Sequence, residues 1–386
     1  MRRVLHILSD LVPYGAERVV ATLAAQGSRD RFEVAIASLY AEGAETLAAP
    51  LRREGIRIFH LDKRRGFDPR MFYRIFGVLR ELRPDVVHTH NYVLRYVLPP
   101  ALLHNPPVMV HTIHNVAHRE VDRFGRWLQS RAFLRRVHPV VIAEEAAISY
   151  ERVYRLPRPP LIRNGIAVAR YSSAAVSREE WRARNGFSSD DLLFICVARY
   201  YPQKNHKTLI EAFASGPAKI SGARLLLAGD GVLRGDLERQ ARTLGIAGKV
   251  HFLGRRDDIP ELLAACDVFA LASLWEGNPL SVMEAMAAGL PAVVTAAGGV
   301  PELVATEEQG IVVPPGDASA LSAALMRLAT DPAMRRAMGT AAAQRARTEF
   351  DDRNMVEAYE SLYDKLLSAP VERRAGDLAI DKIPAA

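Results

Sequence analysis

The chain has 386 residues and a mass of 42.6 kDa, with 49% apolar and 25% charged residues, a balance that suits a globular protein with two cores. Its two cysteines, Cys196 and Cys266, lie in apolar runs, which excludes a disulfide framework or a cysteine metal site and reads as buried thiols in a reducing compartment. The net charge of +7 is uneven: residues 1–180 carry 28 Lys and Arg against 18 Asp and Glu, leaving 23 against 26 for residues 181–386. A basic half suggests an anionic surface or acceptor on that side, whereas nucleic acid is not an expected partner because no nucleic-acid-binding motif accompanies the charge.

The opening MRRVLHILSD has a short apolar run broken at Ser9 and Asp10, which fits a first strand better than a signal peptide. No run reaches the roughly 18 apolar residues of a membrane span. The expectation is a cytoplasmic protein, with its basic half suited to the inner face of the membrane. Tyr14 and Gly15 follow in a loop before a helix expected to start near Ala16 or Glu17. A residue without Cβ there lets a diphosphate or acceptor approach the backbone.

Strand-like runs then alternate with helical ones: FEVAIASL, IRIFHL, PDVVHTH, PVMVHTIH and HPVVIA in the first half. They lack polar alternation, as strands of a buried parallel sheet do. His88, His90, His111 and His114 fall at the ends of two of them, where imidazoles at short spacing raise the question of a metal site. No carboxylate accompanies them, and no metal is expected. Residues 118–137 mix six arginines with Phe124, Trp127, Phe133 and Leu134. This segment reads either as a basic amphipathic helix on an anionic membrane or as a solvated helix packing its aromatics inward. LDKRRGF at 61–67 has the same two readings.

Pro157, Pro159 and Pro160 mark a junction near residues 155–180. The expected domains are 1–165 and 166–354, with a helix over about 355–368 packing back on the first and a disordered tail over 369–386. The second series of strands runs LLFICVAR, ARLLLAGD, KVHFLG, CDVFALAS, PAVVTAA and GIVVP. Two such parallel sheets bind ligands at the carboxyl ends of their strands, so the expected site is the interdomain cleft.

Arg199 and Lys204 follow the strand FICVA, where both can project into that cleft. Gly229–Gly231 is not a dinucleotide fingerprint, because the G-x-G-x-x-G spacing fails at Arg234, and a nicotinamide-dependent oxidoreductase is not expected. The stretch Ser273–Pro291, SLWEGNPLSVMEAMAAGLP, places Glu276 on a turn and Glu284 eight residues on in a helix. Asn278 is expected as N-cap and Pro279 as the first helical residue. The amides of Leu280 and Ser281 then form an anion site suited to a diphosphate. Glu284 on the same helix can accept hydrogen bonds from vicinal ribose hydroxyls, and Glu276 can reach the sugar beyond the phosphates. Gly298, Gly299 and Glu302 form a further loop and helix start, readable as a tight turn.

This stretch resembles the E-x7-E motif of glycosyltransferase family 4, retaining enzymes of GT-B fold, and other segments agree in the same order. PYGAERVVATLA resembles the family's glycine loop and helix, and VHTHN and HTIHN its histidine-bearing strand ends. IRNGIAVARYS is similar to the linker NG-V-D-xx-F, VARYYPQKNHKTLIEAF to G-R-xxx-K-N, LLLAGDGVLRGDLE to G-D-G-P-xxxxLE, and GGVPELV to a final glycine loop. The resemblance covers roughly residues 1–365.

It implies two Rossmann-like, doubly wound parallel-sheet domains facing across a cleft. The first is expected to bind the acceptor and the second a nucleotide-sugar donor. Arg199 and Lys204 would hold the diphosphate, while His114 and Glu276 orient the sugar. Gly15, Asn278, Leu280, Ser281 and Glu284 would bind the donor, with Tyr14, His88 and His90 on the acceptor side. No cofactor or metal is implied, and Asp257 and Asp258 lack D-x-D spacing. Pro279 departs from the family's E-G-F-G-L and has no N–H to offer. The donor is expected to be a UDP-sugar, with GDP-mannose second, and the acceptor a glycan, a lipid-linked intermediate or a small molecule. Alternatives are a nucleotide-sugar epimerase or phosphorylase-like relative of the same fold, and a non-catalytic partner subunit.

Overall fold

Each apolar run singled out above forms a parallel strand: β1 (Arg2–Leu8), β2 (Phe32–Ser38), β3 (Arg57–His60), β4 (Val86–His90), β5 (Val108–Ile113), β6 (His138–Val141), β7 (Leu192–Val197), β8 (Ala223–Ala228), β9 (Val250–Gly254), β10 (Val268–Leu271), β11 (Ala292–Thr295) and β12 (Gly310–Val313). The structure is a computed structural model that describes residues 1–44 and 46–369; the expected tail lies, from residue 370 on, outside the described residues. The chain divides into one unit of residues 1–165 plus the chain from Asp352 onward, and a second, Ile166–Asp351.

Each unit holds one six-stranded sheet, in the orders β3-β2-β1-β4-β5-β6 and β12-β11-β10-β7-β8-β9. The pattern is the same in both. The first three strands of a unit step outward one way and the next three the other, which leaves a switch point beside its first strand, between β1 and β4 and between β7 and β10. Loops leaving adjacent strands there diverge to opposite faces and open a crevice at the carboxyl edge.

In the first unit, register decides which side chains share a face. His6 pairs with His88, Thr89 with His111 and His90 with Thr112. Because side chains alternate along a strand, His6, His88, His90 and Thr112 point to one face and Thr89 and His111 to the other. The helix Asp352–Ser368 covers the first face. Its Tyr363 hydroxyl lies 2.6 Å from His88 Nδ1 and its Tyr359 hydroxyl 3.0 Å from Thr112 Oγ1. Glu360 on this helix accepts from the Ser28 amide at 2.5 Å and the Ser28 hydroxyl at 2.7 Å, and Gln26 donates to Asp352 at 2.8 Å. The C-terminal helix therefore belongs to the first unit from Asp352, three residues ahead of the boundary read from the sequence.

Residues 118–137 form two helices, Ala117–Glu120 and Arg123–Phe133. Asp122 caps the second by accepting from the Gly125 amide at 2.7 Å. The aromatic residues divide. Phe133 and Leu128 pack on the core of the unit, whereas Phe124 and Trp127 are 61% and 56% exposed and stack on each other at 5.9 Å.

Candidate active site

The second unit assembles its polar residues at the switch point. Lys204 follows β7 and Glu276 follows β10, and because these strands are neighbours the side chains meet, with Nζ 2.5 Å from Oε1. Glu276 is buried and also accepts from the Ser273 hydroxyl at 2.5 Å and from Gln203 at 3.4 Å. Gln203 further donates to the Trp275 carbonyl at 2.9 Å, and the Leu274 amide donates to the Gln203 carbonyl at 2.8 Å. The two loops are thus laced together, and the ion pair is held in a fixed place. Arg199 lies on the same loop as Lys204, its guanidinium 5.0 Å from the centre of the Tyr201 ring.

Two glycine loops support this arrangement. A Cβ on Gly298, whose φ is +57°, would stand 1.9 Å from the Glu276 carbonyl oxygen, and the Gly299 amide donates to the Gly277 carbonyl at 2.9 Å. A Cβ on Gly229 would stand 2.1 Å from the Ala198 carbonyl oxygen, and the Tyr200 amide donates to the Asp230 carbonyl at 3.0 Å. GDG and GGVPELV therefore work as buttresses that let one backbone press against another. The first steadies the Arg199 loop and the second the Glu276 turn.

The helix after Glu276 is Leu280–Ala287, one residue later than expected. Pro279, with φ −72° and ψ 117°, is the cap residue, and no side chain caps this end. An extended ψ takes Pro279 out of the first turn and leaves Asn278 in the preceding turn, buried, so neither fills the role read from the sequence. Leu280 and Ser281 are consequently the first two helical residues, whose amides point out of the helix start and favour an anion. Glu284 is buried one turn on and accepts from the Tyr171 hydroxyl at 2.9 Å. Tyr171 was not singled out in the sequence; it stands at the aromatic position of IRNGIAVARYS. A separate cavity of about 680 Å³ in this unit, near Trp181 and Asp258, includes none of these residues, and its Arg256–Asp258 ion pair already balances charge there.

In the first unit the carboxyl edge carries a chain of imidazoles. His6 Nδ1 lies 3.0 Å from His90 Nε2, and His90 Nδ1 lies 2.9 Å from His114 Nε2. His88 adds contacts to Tyr363 and to Thr112, the latter at 2.8 Å. One nitrogen of each of His6, His88 and His90 lies within 4.8 Å of the others, but both nitrogens of His88 and His90 already have partners in this network. Burial pushes His6 and His114 down to about 3 and holds His88 and His90 well below their ordinary value of 6.5. The rings are therefore neutral near pH 7, and each link needs one donor and one acceptor nitrogen.

His88 and His90 are fully buried, so the structure places them inside the core and not on an acceptor-facing surface; their alternate positions on β4 direct both beneath the C-terminal helix. His114 is the partly exposed end of the chain. His111 lies on the opposite face, 2.8 Å from Thr89 Oγ1 and 3.2 Å from Glu120. His6 escaped notice in the sequence because a single polar residue inside an apolar strand carries no signal until register sets it beside His88. The helix after β1 is Gly15–Gln26, so Gly15 opens it, with Tyr14 before it. A Cβ on Gly15 would meet nothing within 4 Å, which leaves the helix start open to a ligand.

Two Rossmann-like units of this topology define the GT-B architecture. Residues 13–170 match the family described as Glycosyltransferase Family 4, and residues 177–345 match Glycosyl transferases group 1. A UDP-Gal:alpha-D-GlcNAc-diphosphoundecaprenol alpha-1,3-galactosyltransferase of Escherichia coli is 29% identical over 277 residues, covering 68% of this chain and 71% of that protein. Glycogen synthase of Mycobacterium tuberculosis is 31% identical over 304 residues, covering 74% of this chain and 70% of that one. Among solved structures, Anabaena HepE in complex with UDP and glucose shares the fold with a TM-score of 0.83 at 21% identity, covering 95% of this chain and 100% of that chain. The chain belongs to glycosyltransferase family 4, and it is a glycosyltransferase of GT-B fold.

Proposed function

We propose that the enzyme retains anomeric configuration and transfers a hexosyl unit from a UDP-sugar, without a metal, to the hydroxyl of a glycan or lipid-linked acceptor. One observation carries this reading: the Lys204–Glu276 pair and the start of the helix Leu280–Ala287 occupy the same switch-point edge, with Glu284 one turn along. A diphosphate fits between a cation and two helix amides, a ribose beside a buried carboxylate, and a sugar beside Glu276. The relative named for UDP-Gal and the neighbour solved with UDP support uridine as the base, with GDP-mannose the second choice.

In the reaction the bond from the sugar C1 to the diphosphate oxygen breaks and a bond from C1 to the acceptor oxygen forms on the same face. The acceptor proton passes to the departing phosphate oxygen, so no second carboxylate is needed. Lys204, Arg199 and the Leu280 and Ser281 amides stabilise the charge that grows on the diphosphate, a role fixed cations and dipoles perform without a metal. Glu276 orients the sugar hydroxyls, and His114, at the end of the imidazole chain of the first unit, keeps one nitrogen not engaged by His90. The exposed Phe124–Trp127 pair, on a helix rich in arginine, suits peripheral docking to an anionic membrane.

Incubation with UDP-α-hexoses, followed by proton NMR of the slowly hydrolysed sugar, tests the reading. First-formed α anomer supports retention and a UDP donor. First-formed β anomer, or turnover of GDP-mannose alone, overturns the stereochemistry or the donor respectively.

A further inference from the structure

Three strand ends of the first unit line an open cavity of about 340 Å³ whose walls include Tyr40, Lys63, Phe67, Tyr92, Arg95 and Tyr96. Tyr40 follows β2, Lys63 follows β3 and Tyr92 follows β4, so the cavity sits at the carboxyl edge where such sheets take ligands. LDKRRGF supplies three of its lining residues, Lys63, Gly66 and Phe67.

Lys63 is the unusual member. It is only 7% exposed, and its ammonium donates to the Tyr40 hydroxyl at 3.3 Å and to the carbonyls of Arg64 and Gly66 at 3.0 and 2.5 Å. It also stands over the Tyr40 and Tyr96 rings at 5.0 and 5.2 Å. These partners are all neutral. Among the described residues no carboxylate lies within 4 Å of it, and the nearby Asp68 is bound to Arg70 at 2.6 Å and to the Arg64 amide at 2.9 Å. A buried cation without a counter-charge is costly, and proteins ordinarily pair such charges. Aromatic faces offset part of that cost but do not neutralise the charge.

The remaining walls describe what supplies the missing charge. Arg95 adds a second cation, although it is paired with Asp122 at 3.1 Å. Burial, and after it the hydrogen bond with the Tyr40 hydroxyl, raises the Tyr92 pKa, and both hydroxyls offer polar edges to a hydroxylated ligand. Phe67 is 69% exposed and stacks on Tyr96 at 5.7 Å, giving the rim an apolar plate. The volume suits one small ligand.

We propose that this cavity binds the phosphorylated end of the acceptor, a sugar carrying a phosphate or diphosphate, with the anion taking the place of the long 3.3 Å Tyr40 contact on Lys63 and the aromatic rings facing the sugar. The proposal rests on the reading that the first unit holds the acceptor.

Calorimetric titration of the full chain with glucose 1-phosphate, glucose and farnesyl-diphosphate-linked N-acetylglucosamine tests it, with UDP titrated into the same samples. Glucose 1-phosphate should bind at least about tenfold more tightly than glucose, and Lys63→Met should remove that advantage. Phe67→Ala, which leaves the hydrogen bonds of the Lys63 turn in place, should weaken both, and it decides the matter if Lys63→Met does not fold. Lys204→Ala should leave glucose 1-phosphate binding unchanged, and Lys63→Met should leave UDP binding unchanged. Tighter binding of the farnesyl compound assigns the site to a lipid-linked acceptor, and equal binding assigns it to a soluble phosphosugar. Equal affinity for glucose and glucose 1-phosphate, or wild-type affinity in both cavity variants, overturns the proposal. Failure of UDP to bind would sink the donor reading, whereas the sugar titrations by themselves decide whether the cavity takes a phosphosugar.

Discussion

Lys204, part-buried, and Glu276, buried, 72 residues apart, form an ion pair because β7 and β10 are neighbours at the switch point of their sheet. Removing one partner strands the other. Lys204→Met is expected to destabilise the protein by on the order of 3 kcal/mol, with less than the summed loss in the double variant Lys204→Met/Glu276→Gln. Turnover should fall about a hundredfold or more in either single variant, since the proposed roles put Lys204 on the departing diphosphate and Glu276 on the sugar. Urea unfolding and donor turnover check this, and additive stability losses would contradict the pairing.

Tyr171 acts through Glu284. Tyr171→Phe removes the hydroxyl that donates to the buried carboxylate, for an expected loss of about 1 kcal/mol or more. The donor KM should rise more than kcat falls, because Glu284 is assigned to the nucleotide and not to the reacting carbon. A drop in kcat with KM unchanged would contradict that assignment.

Acid should destabilise the protein earlier than its carboxylates alone would. His6, His114 and, in the second unit, His206 stay neutral in the fold down to about 3, and burial also holds His88 and His90 well below their ordinary value, whereas unfolded histidine takes a proton near 6.5. Below 6.5 the unfolded chain therefore binds more protons. The stability these rings confer is complete above that pH and is lost as pH falls from 6.5 toward 3. The slope approaches about 1.4 kcal/mol per pH unit for each ring that titrates only on unfolding. Urea midpoints at pH 7.5, 6.5 and 5.5 measure it, and a midpoint constant across that range would refute the buried network.

Phe124 and Trp127 should anchor the enzyme to anionic membranes. Sedimentation with phosphatidylglycerol vesicles is expected to capture the protein, less so in high salt and little with phosphatidylcholine. Phe124→Ser/Trp127→Ser should lose most of the binding while keeping the melting temperature. Unchanged capture in that variant would show that these rings do not dock.

All the strands were legible because buried parallel strands are continuous apolar runs. The chemical residues after β7 and β10 were legible because their motif spacing is dense. What escaped depends on geometry that no local pattern encodes. The Lys204–Glu276 contact needs the order of strands, and the meaning of His6 needs the β1–β4 register. The partnership of Tyr171 with Glu284 spans 113 residues. Asn278 and Pro279 misled because residue preference favours a cap at Asn278, whereas the actual turn gives Pro279 an extended ψ of 117°. The glycines of GGVPELV read as a tight turn and those of GDG as a failed dinucleotide fingerprint, and only the loops they press against reveal why a side chain is excluded.

On the proposed function the second unit binds a nucleotide-sugar through Lys204 and Glu284. Thermal unfolding with UDP-, GDP-, ADP- and dTDP-sugars, in wild type and in Lys204→Ala and Glu284→Ala, tests it most directly. A ligand that binds only the folded protein adds about 2.7 kcal/mol at 100 times its Kd. UDP-sugars should raise the melting temperature of the wild type, and both variants should lose that rise. No shift with any nucleotide, or variants that respond as wild type does, would contradict it.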